Sequence, residues 1–111
     1  MVNISDYRSG LLNPDLLPTL DLHGEIGDIS RVKINDFINE NKKLKNRFIC
    51  VIHGRSGGVI KNITQETLKR NKHIKEFGMM YRNDGMTIVE IIIWHNTSFV
   101  VLLEHMCIKR G

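Results

Sequence analysis

A chain of 111 residues that is 41% hydrophobic and 25% charged, with a formal net charge of +4, has the composition of one ordinary globular domain and excludes a disordered or fibrous polymer. A domain of this length removes roughly two-thirds of its unfolded surface from water, so its core is modest. The longest apolar region, 86–106, is broken by Glu90, His95, Asn96 and Glu104, whereas a bilayer span needs about 20 mostly apolar residues; no membrane partner is expected.

Residues 1–18 contain Ser9-Gly10, Asn13-Pro14-Asp15 and Pro18 without a sustained period, and read as an irregular N-terminal arm anchored by Leu11, Leu12, Leu16 and Leu17. Leu20 and Leu22 alternate with Asp21 and His23, which suits a short strand over 19–23. Gly24-Glu25-Ile26-Gly27 interrupts the chain, and Asp28 is the expected N-cap of a helix over 29–43 whose apolar face is Ile29, Val32, Ile34, Phe37 and Ile38. The run Phe48-Ile49-Cys50-Val51-Ile52 is that of a strand buried on both faces.

Gly57-Gly58 opens a second helix over 59–72, with Ile60, Ile63, Thr67 and Leu68 on one side. Residues 74–81 form a weaker strand, Asn83-Asp84-Gly85 a turn, and Thr87–Trp94 the clearest strand of the chain. The order β-α-β-α-β-β predicts an α/β domain over 19–94 in which helical crossovers join parallel strands. Residues 95–111 follow as an extra strand or short helix, and Trp94 and Phe99 are read as core or edge residues.

Two cysteines, Cys50 and Cys107, do not make a disulfide framework. With no secretory signal pattern at the start, a reducing, cytoplasmic setting is expected. The charge is uneven: residues 1–29 hold one Arg against five acids, residues 30–75 hold twelve Lys and Arg against three acids, and the remainder three against four. The middle block, including Lys42, Lys43, Lys45, Lys61, Lys69 and Arg70, would present a positive potential to a polyanion.

Reacting groups in parallel sheets gather beyond the carboxyl ends of the strands. Two strands here end in His-Gly: Leu20-Asp21-Leu22-His23-Gly24 and Val51-Ile52-His53-Gly54. The period of two puts Asp21 and His23 on one side of the first strand, and pairing of the two strands would carry His53 and Arg55 to the same edge. His transfers protons near neutral pH, and Arg holds a phosphate bidentately. The loop Gly54-Arg55-Ser56-Gly57-Gly58 lets the backbone approach a phosphate in front of a helix N-terminus, although it has no Walker-type Gly-Lys-Ser/Thr. The alternatives are structural: Asp21 and His23 as a hydrogen-bonded pair fixing the strand end, and the glycines as a simple connection. His73 suits a helix C-terminus, His95 and His105 lack spaced partners, and no zinc-type cluster is visible.

The ordered set of Leu20-Asp21-Leu22-His23-Gly24, His53-Gly54-Arg55 and Gly85-Met86-Thr87-Ile88-Val89 resembles the L-D-L-H-G, H-G-x-G and G-x-T-x-V landmarks of Smr (small MutS-related) domains. The second glycine of H-G-x-G falls on Ser56. The resemblance implies a two-layer sandwich, two helices on a four-stranded mixed sheet, similar to the C-terminal domain of translation initiation factor three. It also implies binding of RNA or DNA, with endonuclease cleavage. In that reading Asp21, His23 and His53 are catalytic, and Gly54, Arg55, Ser56, Gly57, Gly58, Lys61, Lys42 and Lys43 bind phosphate. No cofactor is fixed by the residues; a divalent metal such as Mg is left open, and no metal ligand is assigned. The alternatives are a non-catalytic nucleic-acid-binding module and a protein-interaction domain, with a ribosome or another protein as partner.

Overall fold

The computed structural model of the chain describes residues 2–55 and 58–93. Its elements are α1 (Ile4–Arg8), a 3-10 turn (Pro14–Leu16), β1 (Thr19–Asp21), α2 (Gly27–Lys43), β2 (Phe48–Ile52), α3 (Val59–Arg70), β3 (Ile74–Met80) and β4 (Asn83–Ile91). The sheet order is β1-β2-β4-β3. β1 is parallel to β2, with Asp21 opposite Ile52, and β4 is antiparallel to both of its neighbours. Each crossover helix therefore returns the chain in its original direction, and the closing hairpin slots β4 between β2 and β3. This is the α/β class expected, with a mixed four-stranded sheet and two long helices. The expected C-terminal extension over 95–111, with Trp94, His95, Phe99, His105 and Cys107, lies outside the described residues.

Period two in β2 splits its side chains between two cores. Ile49 and Val51 join Leu22, Ile34, Ile38, Leu68, Val89 and Ile91 under the helices. Phe48 and Cys50 join Ile4 and Ile88 on the other face, against Tyr7, Leu17 and Met86. Burial pushes the Cys50 thiol up to about 11, so it packs as an unreactive apolar group.

The second face is covered by the arm, which is more ordered than its turn-rich sequence suggests. Asn3 and Asp6 form a capping box on α1. Arg8 Nε donates to the Met79 carbonyl at 2.7 Å, its guanidinium stacks 4.6 Å from the Tyr81 ring centroid, and the Tyr81 N–H donates to the Arg8 carbonyl. Gly78 makes this possible, because a Cβ there would fall 2.5 Å from the Arg8 guanidinium carbon.

Three local expectations shift. α2 begins at Gly27 with Ile26 as a cap that makes no side-chain bond. Asp28 sits inside the first turn, where the dipole favours an acid, and pairs with Arg31 at 2.7 Å. The buried seam of α2 is Ser30, Ile34, Ile38 and Asn41, leaving Ile29 and Val32 at 43% and 59% exposure. Finally, the hairpin turns at Tyr81-Arg82, and Asn83–Gly85 opens β4 instead. The turn chemistry there acts as a bulge: the Gly85 N–H donates to Asn83 Oδ1 at 3.0 Å, and the pairing register jumps between Met79 and Met80.

Candidate functional site

Because β1 and β2 are parallel neighbours in register at Asp21 and Ile52, the residues that follow each strand leave the sheet side by side. The Leu22 N–H still donates to the Ile52 carbonyl at 2.7 Å. His23 and His53 thus occupy one edge, beyond the carboxyl ends of adjacent strands. Their surroundings differ. His23 is exposed, and Asp21 Oδ1 accepts its backbone N–H at 2.9 Å. That bond fixes the strand end, and the Asp21 carboxylate makes no hydrogen bond to the His23 ring.

His53 is 4% exposed. Its Nδ1 lies 3.1 Å from the Gly54 carbonyl and its Nε2 lies 2.8 Å from Thr87 Oγ1. A carbonyl only accepts, so Nδ1 carries the proton and Nε2 accepts from the Thr87 hydroxyl. Burial pushes the imidazole below its usual range, Lys61 adds to that, and the Gly54 carbonyl and Asp84 oppose it. A neutral ring with both nitrogens occupied ties the end of β2 to β4. Thr87 is the partner that residue types alone did not single out; its only signal was its place in the Gly85–Val89 segment.

Arg55 is reached through Gly54, whose φ of +84° suits glycine. The N–H groups of His53 and Gly54 both donate to the Gly85 carbonyl, at 2.9 and 3.1 Å, which docks this loop on the start of β4. Arg55 Nε lies 3.3 Å from Asp84 Oδ1, and Lys61 Nζ lies 3.4 Å from Asp84 Oδ2. Gly58, with φ +76°, is the N-cap of α3 and makes no side-chain bond there. Ser56 and Gly57 lie outside the described residues. Among those described, no three His, Cys, Asp or Glu side chains form a metal-binding group.

Lys42 and Lys43 are not brought to this edge. They occupy the last turn of α2, whose 17 residues run back along the sheet for about 25 Å at 1.5 Å per residue. Lys69 and Arg70 likewise end α3. His73 stands among them: burial, then Lys42 and Lys72, lower its pKa. Nearby, a groove between the two helices is lined by Arg31, Asn35, Arg70, Lys72 and His73. The basic block of the sequence is thus spread along the two helices instead of being gathered at this edge.

The fold and the paired strand-end histidines define a small α/β domain with its candidate chemistry at the carboxyl edge of a mixed sheet. The chain belongs to the Smr domain family, whose model matches residues 20–92. It is 32% identical over 75 residues to endonuclease MutS2 of Streptococcus gordonii, covering 68% of this chain and 10% of that protein. With endonuclease MutS2 of Geobacillus sp. it shares 30% over 87 residues, covering 78% and 10%. The chain therefore spans about a tenth of the length of these relatives. In fold it is similar to the Smr domain of Thermus thermophilus MutS2, with a TM-score of 0.63 and 20% identity over 68% of this chain and 98% of that one. It is also similar to YdaL, a stand-alone small MutS-related protein from Escherichia coli, with a TM-score of 0.54 and 19% identity over 66% and 63%. No helix among the described residues is long and apolar enough to cross a membrane.

Proposed function

We propose that this domain binds nucleic acid at the carboxyl edge of β1 and β2 and cuts a phosphodiester there, acting in the cytoplasm with residues 19–94 as the functional unit. The observation that carries the reading is the parallel pairing of β1 with β2, which delivers His23 and the His53-Gly54-Arg55 segment to one edge. The relationship to proteins named endonuclease MutS2 supports it. Arg55 and Lys61 hold the phosphate. His23, the exposed imidazole, transfers the proton. His53 and Asp21 position the two strand ends.

The test is a gel assay of purified protein with labelled RNA and DNA, with and without a chelator. Cleavage is expected from wild type, and His23→Ala should lower it by about 10²–10⁴-fold, with binding weakened less than about tenfold because one neutral hydrogen bond is worth about 1 kcal/mol. A chelator-sensitive rate would assign a metal to the reaction. The second reading is a binding module without catalysis, favoured by the engagement of both His53 nitrogens and the use of Asp21 on a backbone N–H. It prevails if wild type binds but cuts neither RNA nor DNA.

A further inference from the structure

The cations at the site edge, Arg55 and Lys61, share one acid. Each oxygen of the Asp84 carboxylate faces a different one, Oδ1 toward Arg55 Nε at 3.3 Å and Oδ2 toward Lys61 Nζ at 3.4 Å. Two anionic oxygens spread between two cations is also what the non-bridging oxygens of a phosphodiester offer. We propose that Asp84 is a built-in stand-in for the phosphate: it holds Arg55 and Lys61 in place in the free protein, is displaced by the nucleic-acid backbone, and thereby limits affinity. This deepens the phosphate-binding reading above and rests on it.

The position of Asp84 is set by the backbone around it. Asn83 Oδ1 accepts the Gly85 N–H at 3.0 Å and lies 3.5 Å from Arg55 Nη2. The Gly85 carbonyl takes two N–H groups from the His53-Gly54 segment. A Cβ on Gly85 would stand 3.2 Å from Arg55 Cγ and 3.3 Å from the Gly54 carbonyl carbon, so the Arg55 stem lies close against this glycine. The acid and the arginine are therefore held facing one another by the same loop contact that places the arginine at the edge. The Arg55 and Asp84 side chains are 64% and 57% exposed, and ion pairs in such surroundings are weak. Exchange for a phosphate is easy, and Asp84 then turns to water. Two cations and one anion leave a single net positive charge; without the carboxylate both cations are free to contact phosphates.

The experiment titrates the full chain against labelled single-stranded RNA and DNA over a range of salt concentrations, for wild type, Asp84→Asn, Asp84→Ser, Arg55→Ala, the Arg55→Ala/Asp84→Asn double variant and Glu66→Gln. Glu66 pairs with Arg70 on the far turn of α3, so its substitution makes the same charge change elsewhere. Both Asp84 variants should bind about three- to tenfold tighter, because neither cation has to leave a carboxylate before it meets a phosphate. Glu66→Gln should bind as wild type, and the double variant should lose the gain. If the folded Asp84 variants bind no tighter than wild type while Arg55→Ala still weakens binding, the stand-in role is overturned and the phosphate site stands. An equal gain from Glu66→Gln also overturns it, as a bulk charge effect. Absence of binding by wild type and all variants overturns the phosphate-binding reading itself.

Discussion

At the carboxyl end of β1 and β2 the domain sets His23 and His53, and there Arg55 and Lys61 share the carboxylate of Asp84. Away from it, Lys42 and Lys43 close α2 about 25 Å along that helix, while Lys69 and Arg70 end α3 and, with Lys72 and His73, lie beside Arg31 and Asn35 of α2. The first end is poor in net charge and rich in fixed hydrogen bonds. The second is rich in charge but built from last-turn lysines, which also offset the negative ends of the helix dipoles. Density of charge and precision of placement are thus separated in this molecule. A cation that waits on a carboxylate against a docked loop is aimed; a lysine on a helix end is available but not aimed.

The largest effect expected from breaking this comparison is at the first end. Replacing both Arg55 and Lys61 with alanine should weaken binding of a short oligonucleotide by about tenfold or more, since hydrogen bonds to charged groups are worth about 1.5–3 kcal/mol. The salt slope should flatten by about 1.4 for two lost single-strand contacts. Fluorescence anisotropy across salt concentrations checks both numbers.

Next in size is stability. His53→Ala removes the link between β2 and β4 and leaves the buried Thr87 hydroxyl without its partner, which should cost about 1–3 kcal/mol in denaturant unfolding. The pH dependence has a definite sign. The folded-state pKa of His53 lies below the ordinary 6.5, so the unfolded chain binds the proton more readily. The associated stability is complete above about pH 6.5 and is lost as pH falls toward the lower, folded-state value. Thermal melts should therefore show a Tm that drops on acidification, and His53→Gln should flatten part of that drop. His73, shifted in the same direction, adds to the drop over the same range. A Tm that rises on acidification would contradict the neutral, buried imidazole.

The smallest effect is expected at the second end. Neutralising Lys42, Lys43, Lys69 and Arg70 together should leave a short oligonucleotide bound as before. It should weaken only ligands long enough to span both ends, about seven base steps of duplex at 3.4 Å each. Comparing short and long oligonucleotides on this variant sharpens the division between aimed and available charge.

Much of this arrangement was legible in the residues. The apolar run Phe48–Ile52 and the alternation around Leu20 and Leu22 mark the two strands that carry the histidines, because full burial and half burial each write a distinct period. Lys42 and Lys43 were grouped with the phosphate-binding loop on charge alone, whereas a crossover helix must run back along the sheet before the next parallel strand begins and so carries them away from it. What could not be read were contacts made across long stretches of chain. The Thr87 hydroxyl on His53 and the Asp84 carboxylate between Arg55 and Lys61 depend on β4 entering beside β2, a pairing that local patterns do not specify. At Asp21 the period of a strand says nothing of the local contact: its short side chain reaches the backbone N–H two residues on, as Asp does in turns. The arm was under-read because turn residues dominate its composition and mask the local Asn3–Asp6 capping box, while the Arg8 latch over Gly78 becomes visible only once β3 lies beneath it.

The claim that the aimed end is the working end has one direct measurement. Backbone amide shifts of the full chain, followed by NMR during titration with a short single-stranded RNA or DNA, report which end meets the ligand. The account predicts that Leu22–Gly24, His53–Arg55, Lys61 and Asp84–Gly85 move first and furthest, while Lys42, Lys43, Lys69, Arg70 and Lys72 stay in place. Shifts concentrated at the helix ends, with His23 and Arg55 unmoved, would contradict it.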